Sequence, residues 1–236
     1  MAIYAIADLH LGFDEKIEKP MDIYGERWIN HAEKIKADWE ERVKDDDTVI
    51  IAGDISWALK LSEAIADLNW ISALPGKKVL IKGNHELWWN GVSRLNMMYD
   101  DIYFLQNTFY EAGGESGRTA ICGSRGWLCP GTEGFSEEDR KIYERELHRL
   151  DLSLSAAKAA GFEDNIITAL HFPPTNENHN LSGFTELFEQ YGVTQVVYGH
   201  LHGKEIWKRG IQGVLNGVKY SLVAQDYTNG KLIQLK

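Results

Sequence analysis

Cysteine is scarce in this chain: Cys122 and Cys129 are the only two in 236 residues. Their spacing fits no zinc knuckle and no redox motif; two cysteines allow at most a single bridge and point to a reducing compartment. Long apolar runs are missing as well. None approaches the ~20 residues a membrane helix needs, so no membrane association is expected. Basic residues are outnumbered, with 25 Lys and Arg against 35 Asp and Glu and a formal charge of -10. Such a surface repels polyanions and argues against extended nucleic acid binding, although bound cations reverse the sign locally and leave a compact phosphorylated partner open. The N-terminal Met-Ala-Ile-Tyr-Ala-Ile-Ala-Asp has no basic stretch and turns acidic at once, so it does not read as a signal peptide. Repeats, low-complexity segments and linkers are absent. A single cytoplasmic domain over residues 1–236 is expected, with 44% hydrophobic residues to fill its core.

What is present is a series of short apolar runs that each stop at polar residues. Ile3 to Ala7 stops at Asp8; Val49 to Ala52 at Gly53-Asp54; Val79 to Ile81 at Lys82-Gly83-Asn84-His85; Ile166 to Leu170 at His171; Val196 to Tyr198 at Gly199-His200. Each reads as a strand buried on both faces. Helical spacing connects them: Trp28, Ala32, Ile35, Trp39 and Val43; Leu61, Ala64, Ile65, Leu68 and Ile71; a longer pattern from Glu137, after Ser136, to Gly161; and Phe184 to Tyr191, closed by Gly192. Strands alternating with helices give an α/β fold. Asn216-Gly217 and Asn229-Gly230 predict hairpins near the C-terminus.

The polar residues ending the strands are Asp8, His10, Asp54, Asn84, His85, His171, His200 and His202. Strand ends of an open α/β sheet are where distant residues converge. Carboxylate and amide oxygens with neutral imidazoles suit a first-row divalent ion (manganese, iron or zinc) better than calcium. In an extended segment the Asp8-Leu9-His10 and His200-Leu201-His202 spacings would put both polar side chains on one face and turn Leu9 and Leu201 to the core. Gly53, Gly83 and Gly199 directly precede ligand candidates, where a glycine permits a sharp turn and a close backbone approach.

Taken in order, Asp8-Leu9-His10, Gly53-Asp54, Gly83-Asn84-His85-Glu86, His171 and Gly199-His200-Leu201-His202 resemble the five blocks of the calcineurin-like metallophosphoesterase family. The resemblance implies a four-layer αββα sandwich with a dinuclear metal site at the C-terminal ends of the strands. It implies one ion held by Asp8, His10, Asp54 and His202 and another by Asp54, Asn84, His171 and His200, with Asp54 bridging. Manganese is favoured over iron and zinc. His85 is implied to face the substrate as the catalytic residue, while a metal-bridging hydroxide attacks a small phosphomonoester or phosphodiester. A phosphoprotein phosphatase and a non-catalytic scaffold are the competing readings. The presence of His85 weighs against the scaffold. The phosphoprotein phosphatase branch carries Gly-Asp-x-x-Asp-Arg-Gly, whereas this chain has Gly53-Asp54-Ile55-Ser56-Trp57-Ala58-Leu59, so the second acid is replaced by Trp57; Lys82 stands where that branch has Arg.

Other residues divide between packing and substrate. Trp57, Trp88 and Trp89 flank the blocks, and one of them is a candidate pocket wall. Arg125 is a candidate substrate-binding clamp on phosphate, balanced against a surface ion pair. His31, His148 and His179 read as solvated. The 13–24 and 108–134 stretches are the expected substrate-selecting pieces.

Overall fold

The computed structural model describes residues 1–113 and 117–236. Two sheets form. The first has the order β11 (Ile233–Gln234), β1 (Ile3–Ile6), β2 (Thr48–Ala52), β3 (Lys77–Ile81), β4 (Ile102–Phe104). The second runs β5 (Tyr110–Ala112), β6 (Thr119–Ser124), β7 (Ile166–Leu170), β8 (Val193–Tyr198), β10 (Val218–Leu222), β9 (Gly213–Leu215). Within each sheet the central strands are parallel, and only β11, β5 and β9 run antiparallel to their neighbours. The five apolar runs of the sequence are β1, β2, β3, β7 and β8.

Period-two alternation sorts the side chains of each strand into two layers. From the first sheet, Ile3, Ala5, Ile50, Ala52, Val79 and Ile81 face the second, where they meet Ile121, Ile167, Ala169 and Val197. Their alternates Tyr4, Ile6, Val49, Ile51 and Leu80 pack outward on α1 (His31–Arg42) and α2 (Leu61–Ser72) through Ile35, Trp39, Leu68 and Ile71. On the far side Ala120, Cys122, Ile166, Leu170, Val196 and Tyr198 pack on α4 (Glu137–Ala159) and α5 (Gly183–Tyr191) through Leu150, Leu154, Phe184 and Phe188. The layers are therefore helix, sheet, sheet, helix, as the family resemblance implies. Both cysteines are buried and unpaired. No helix among the described residues is long and apolar enough to cross a membrane.

Capping sets the long helices where the sequence placed them. The Ser136 hydroxyl accepts from the Asp139 amide while the Asp139 carboxylate accepts from the Ser136 amide, a reciprocal cap for α4. Gly192 closes α5 in the left-handed region. Short helices α3 (Val92–Leu95), α6 (Lys204–Trp207) and α7 (Gln225–Thr228) fill connections. Asn216-Gly217 does turn a hairpin, between β9 and β10. Asn229-Gly230 does not. Both residues have positive φ, but they end α7 and lead into β11, which pairs with β1. Asn-Gly chemistry encodes two successive left-handed residues, and a helix terminus uses these as readily as a hairpin does.

Candidate metal centre

Parallel pairing in near-level register brings the ends of β1, β2 and β3 to one edge, and β7 and β8 deliver theirs to the same edge from the second sheet. Past the strands the chain turns sharply without losing its pairing. Asp8, His10 and Leu11 donate their amides to the carbonyls of Gly53, Asp54 and Ile55, each at 2.9 Å. Asp8, His10, Asp54 and His200 all have φ between 44° and 71°. The Asp8-Leu9-His10 segment is thus not extended as its spacing suggested. Its left-handed turns aim both polar side chains into one centre, while Leu9 is fully buried. Non-glycine residues held in this region store strain that the surrounding structure must enforce. Four of them at one locus mark a functional constraint.

Glycine is required here for space. A Cβ on Gly83 would collide with the Asp54 carboxylate, one on Gly199 with the Asp8 carboxylate, and one on Gly53 would lie 2.6 Å from His171 Nδ1. Beneath them Glu86, fully buried, accepts from the amides of Asp54 at 3.0 Å, Ile55 at 2.8 Å and Gly83 at 2.6 Å, binding the turn after β2 to the turn after β3. Burial and the Asp54 charge push its carboxyl up to about 7.

Two clusters result, each with its ligand atoms within 4.8 Å of one another: Asp8, His10 and His202; and Asp54, His171 and His200. Asn84 adds Oδ1 to the second, 2.8 Å from His171 Nε2. Asp54 Oδ2 lies 3.3 Å from His171 Nε2 and 3.7 Å from His10 Nε2, between the two groups. His10 Nε2 and His202 Nε2 face each other at 3.4 Å, and His200 Nδ1 and His171 Nε2 at 3.2 Å. The remaining nitrogens fix which atom points inward. His171 Nδ1 donates to the Ala52 carbonyl at 3.1 Å, and His202 Nδ1 donates to Asp226 at 3.0 Å. Both leave an Nε2 lone pair aimed at another imidazole nitrogen. That is unfavourable unless a proton or a cation lies between. Oxygen and imidazole donors in two adjoining sets fit a pair of divalent cations.

The titration of these groups records the same crowding. Burial alone would push His171 and His202 down, but Asp54 and Asp8 beside them carry His171 up to about 9 and His202 up to about 10. Burial, with His171 adjacent, pushes His200 down to about 3, and burial holds His10 well below its ordinary value. Burial resists ionisation of Asp54, yet His171 and His10 hold its carboxyl well below the usual range. Without a cation, protons take the place of positive charge.

Two supporting residues were invisible in the sequence. Asp226, at 2% exposure on α7, accepts from His202 Nδ1 with one oxygen and from the Gly203 amide with the other at 3.1 Å. A carboxylate behind a ligand imidazole orients it and raises its basicity. No spacing links residues 202 and 226; the pairing of β10 with β8 and the bridge from Ala7 to Ala224 bring α7 to this edge. His31, expected in solvent, sits instead at the start of α1 with Nε2 2.9 Å from the Leu9 carbonyl, bracing the turn between Asp8 and His10. His148 and His179 are exposed, as expected.

Above the clusters opens a cavity of about 600 Å³ whose floor includes His10, Asp54, Asn84, His85, His200 and His202. His85 is 38% exposed, and its Nε2 is 3.8 Å from Asp54 Oδ2. Of the three flanking tryptophans, Trp57 forms the wall: it stacks on His10 at 4.6 Å and lies 4.2 Å from His85. Trp88 and Trp89 are buried in the outer core. Arg125 does not reach the cavity. Its guanidinium stacks over Trp127 and lies 3.5 Å from Glu146, a carboxylate at 1% exposure that draws Arg149 as well. The structure does not bring Arg125 together with the two clusters; a buried carboxylate draws its charge instead. From the 13–24 stretch Met21 and Tyr24 line the cavity; from the described part of 108–134 no residue does, much of it being used as β5 and β6, and residues 114–116 lie outside the described residues.

Binding a cation must displace the protons held by His171 and His202. Calorimetric titration of chelator-stripped protein with manganese, in buffers of differing ionisation enthalpy, should show net proton release between pH 7 and 8. Binding with no proton release there would contradict the assigned donor atoms. Asp226→Ala should weaken one of two manganese binding steps by ~10–100-fold, the usual cost of removing such a carboxylate, and leave the other near its original affinity; two unchanged steps would remove Asp226 from the centre.

Comparison with known proteins agrees with this geometry. Gene 66 proteins of Mycobacterium phages L5 and D29 are 38% identical over 80 residues and 30% identical over 109 residues. These matches take in 34% and 45% of this chain and 37% and 52% of the relatives, so the chain spans about half or less of their length. Among solved structures, a Thermus thermophilus protein superposes with TM-score 0.61 at 12% identity, covering 99% of this chain and 97% of the other. The phosphopantetheinyl hydrolase of Mycobacterium tuberculosis gives 0.56 at 17% identity, covering 99% and 95%, and a protein of unknown function from Aquifex aeolicus gives 0.52 at 17%, covering 99% and 95%. At such identities these three share the fold. The family described as calcineurin-like phosphoesterase matches residues 1–204, the span that holds all five motif blocks, and this chain belongs to it.

Proposed function

We propose that the chain, acting as one domain, hydrolyses a small phosphomonoester or phosphodiester. The observation that carries this reading is the position of Asp54 Oδ2 between His10 Nε2 and His171 Nε2, at the floor of a cavity into which His85 projects. Asp8, His10, Asp54 and His202 would hold one divalent ion, and Asp54, Asn84, His171 and His200 the other. Oxygen and imidazole donors without thiolate suit manganese, iron or zinc, and manganese is the ion we favour. When bound, such a pair supplies a hydrolytic nucleophile at neutral pH and neutralises phosphoryl oxygens.

The chain supplies the rest. The His85 amide donates to Asp54 Oδ1 at 3.0 Å, so the carboxylate that joins the two ligand sets also fixes the backbone of the catalytic histidine. Burial holds the His85 imidazole below its ordinary value. From its place in the cavity the ring, when protonated, would donate a proton to the leaving oxygen as a general acid, and in either form its N–H would hydrogen-bond a phosphoryl oxygen. Among the described residues no acid besides Asp54 pairs with His85; Trp57 packs against it instead. That absence supports a small substrate over a phosphoprotein. The acidic surface supports the same choice over an extended nucleic acid. Asp226, outside the matched span yet bonded to His202, supports one functional unit over residues 1–236.

His85→Asn in the manganese-loaded protein tests this reading. Both ions should remain bound, and turnover should fall by ~10²–10⁴. The loss should be smaller on a 4-nitrophenyl ester, whose leaving group needs little protonation, than on an alkyl ester. Equal losses would make His85 a charge stabiliser and not an acid. Loss of an ion would place it among the ligands and refute the assignment.

A further inference from the structure

The cavity is far larger than a phosphoryl group requires, and its upper wall is built by two segments the reaction does not use. One is 21–28, Met-Asp-Ile-Tyr-Gly-Glu-Arg-Trp; the other is α6, Lys-Glu-Ile-Trp. Trp28, at the end of the first segment, reaches down to the ligand histidines, with ring centroids 5.5 Å from His10 and 5.3 Å from His202. Trp57 is already engaged, with His10 stacked on it and Lys19 over its ring at 5.1 Å. The pair Arg27 and Trp207 is different. The guanidinium lies over the indole at 5.1 Å, and Arg27 Nη1 donates to the carbonyls of Asp226 at 2.9 Å and Tyr227 at 3.0 Å. Those bonds fix the guanidinium against the indole, and both side chains line the cavity. Tyr24 lines the same cavity at its mouth and is 62% exposed.

A planar guanidinium fixed on an indole is a stacking surface for another flat ring. The charges around it decide what kind. Arg27 spends its Nη1 on backbone carbonyls, and the acidic Glu26 lines the same part of the cavity as Lys204, so no cluster of cations stands here that would call for a second phosphate. A volume of about 600 Å³ holds a metabolite-sized group beyond the reacting phosphorus.

We propose that the substrate carries a neutral, flat aromatic group of nucleobase type, which stacks on the Arg27–Trp207 plate while its phosphoester lies over Asp54 and His85. The inference rests on the phosphoesterase reading above and narrows its substrate class. The plate is held by carbonyls of α7, so residues after 204 select the substrate as well as orient His202.

The test uses three diesters with the same leaving group: 4-nitrophenyl phosphates of thymidine (at its 5′ oxygen), of methanol and of n-pentanol. A monoester pair, adenosine 5′-phosphate and ribose 5-phosphate, accompanies them, all with the manganese-loaded full chain. The base-bearing member of each hydrolysed series should exceed the others in kcat/KM by ~10-fold or more, the scale of one stacked base, chiefly through KM. Trp207→Ala should collapse that ratio, Trp207→Phe should restore most of it, and Arg27→Lys, which keeps charge but not the plane, should fall between. Equal rates for the thymidine and pentyl esters, or a preference that survives Trp207→Ala, would overturn the inference and leave the phosphoesterase reading intact. No turnover of any ester would refute that reading and the inference with it.

Discussion

Two carboxylates and four imidazoles meet at the seam between two apolar sheets, and Asp54 is the group that joins them. Buried charges survive only when they are paired or bind a cation. Asp54 Oδ2 lies within 4 Å of His10, His171 and His85, and its Oδ1 accepts the His85 amide. Asp8 does the corresponding work for the other sheet by accepting the His200 amide with both oxygens, at 3.0 and 3.1 Å. The sheets are therefore tied at their functional edge by the same side chains that form the ligand sets, and packing and chemistry share one constraint.

That constraint explains the local backbone. Aiming both side chains of Asp8-Leu9-His10 at one point while Leu9 stays buried takes left-handed turns at Asp8 and His10. His31 braces those turns through the Leu9 carbonyl, and Glu86 holds the turn at Asp54 beside them through its amides. The glycines before the ligands keep space for carboxylate and imidazole atoms that would otherwise meet a Cβ. Filling the gap at Gly83 would displace Asp54, and filling the one at Gly199 would displace Asp8.

The strands, the long helices and the strand-end polar residues were legible in the sequence because each rests on a local pattern: apolar runs buried on both faces, 3.6-residue spacing, and Ser or Gly caps. What was not legible depends on tertiary contact. Asp226 and Arg27 reach the site only because α7 is carried there by the end of β10. His31 looked solvated because its helix face is polar, yet its partner is a carbonyl on another turn. Arg125 follows a strand as a phosphate ligand would, but the buried Glu146 that captures it lies on α4. The two-residue ligand spacing was read as extended because a residue pattern carries no sign of φ.

The central claim is that Asp54 serves two cations at once. Loading stripped protein with manganese and recording its electron paramagnetic resonance alongside metal analysis tests this most directly. The account predicts two manganese ions per chain with the spectrum of an exchange-coupled pair, and an uncoupled spectrum of weakly bound ions in Asp54→Ala. Saturation at one ion, or two ions with no coupling in the unaltered protein, would contradict it.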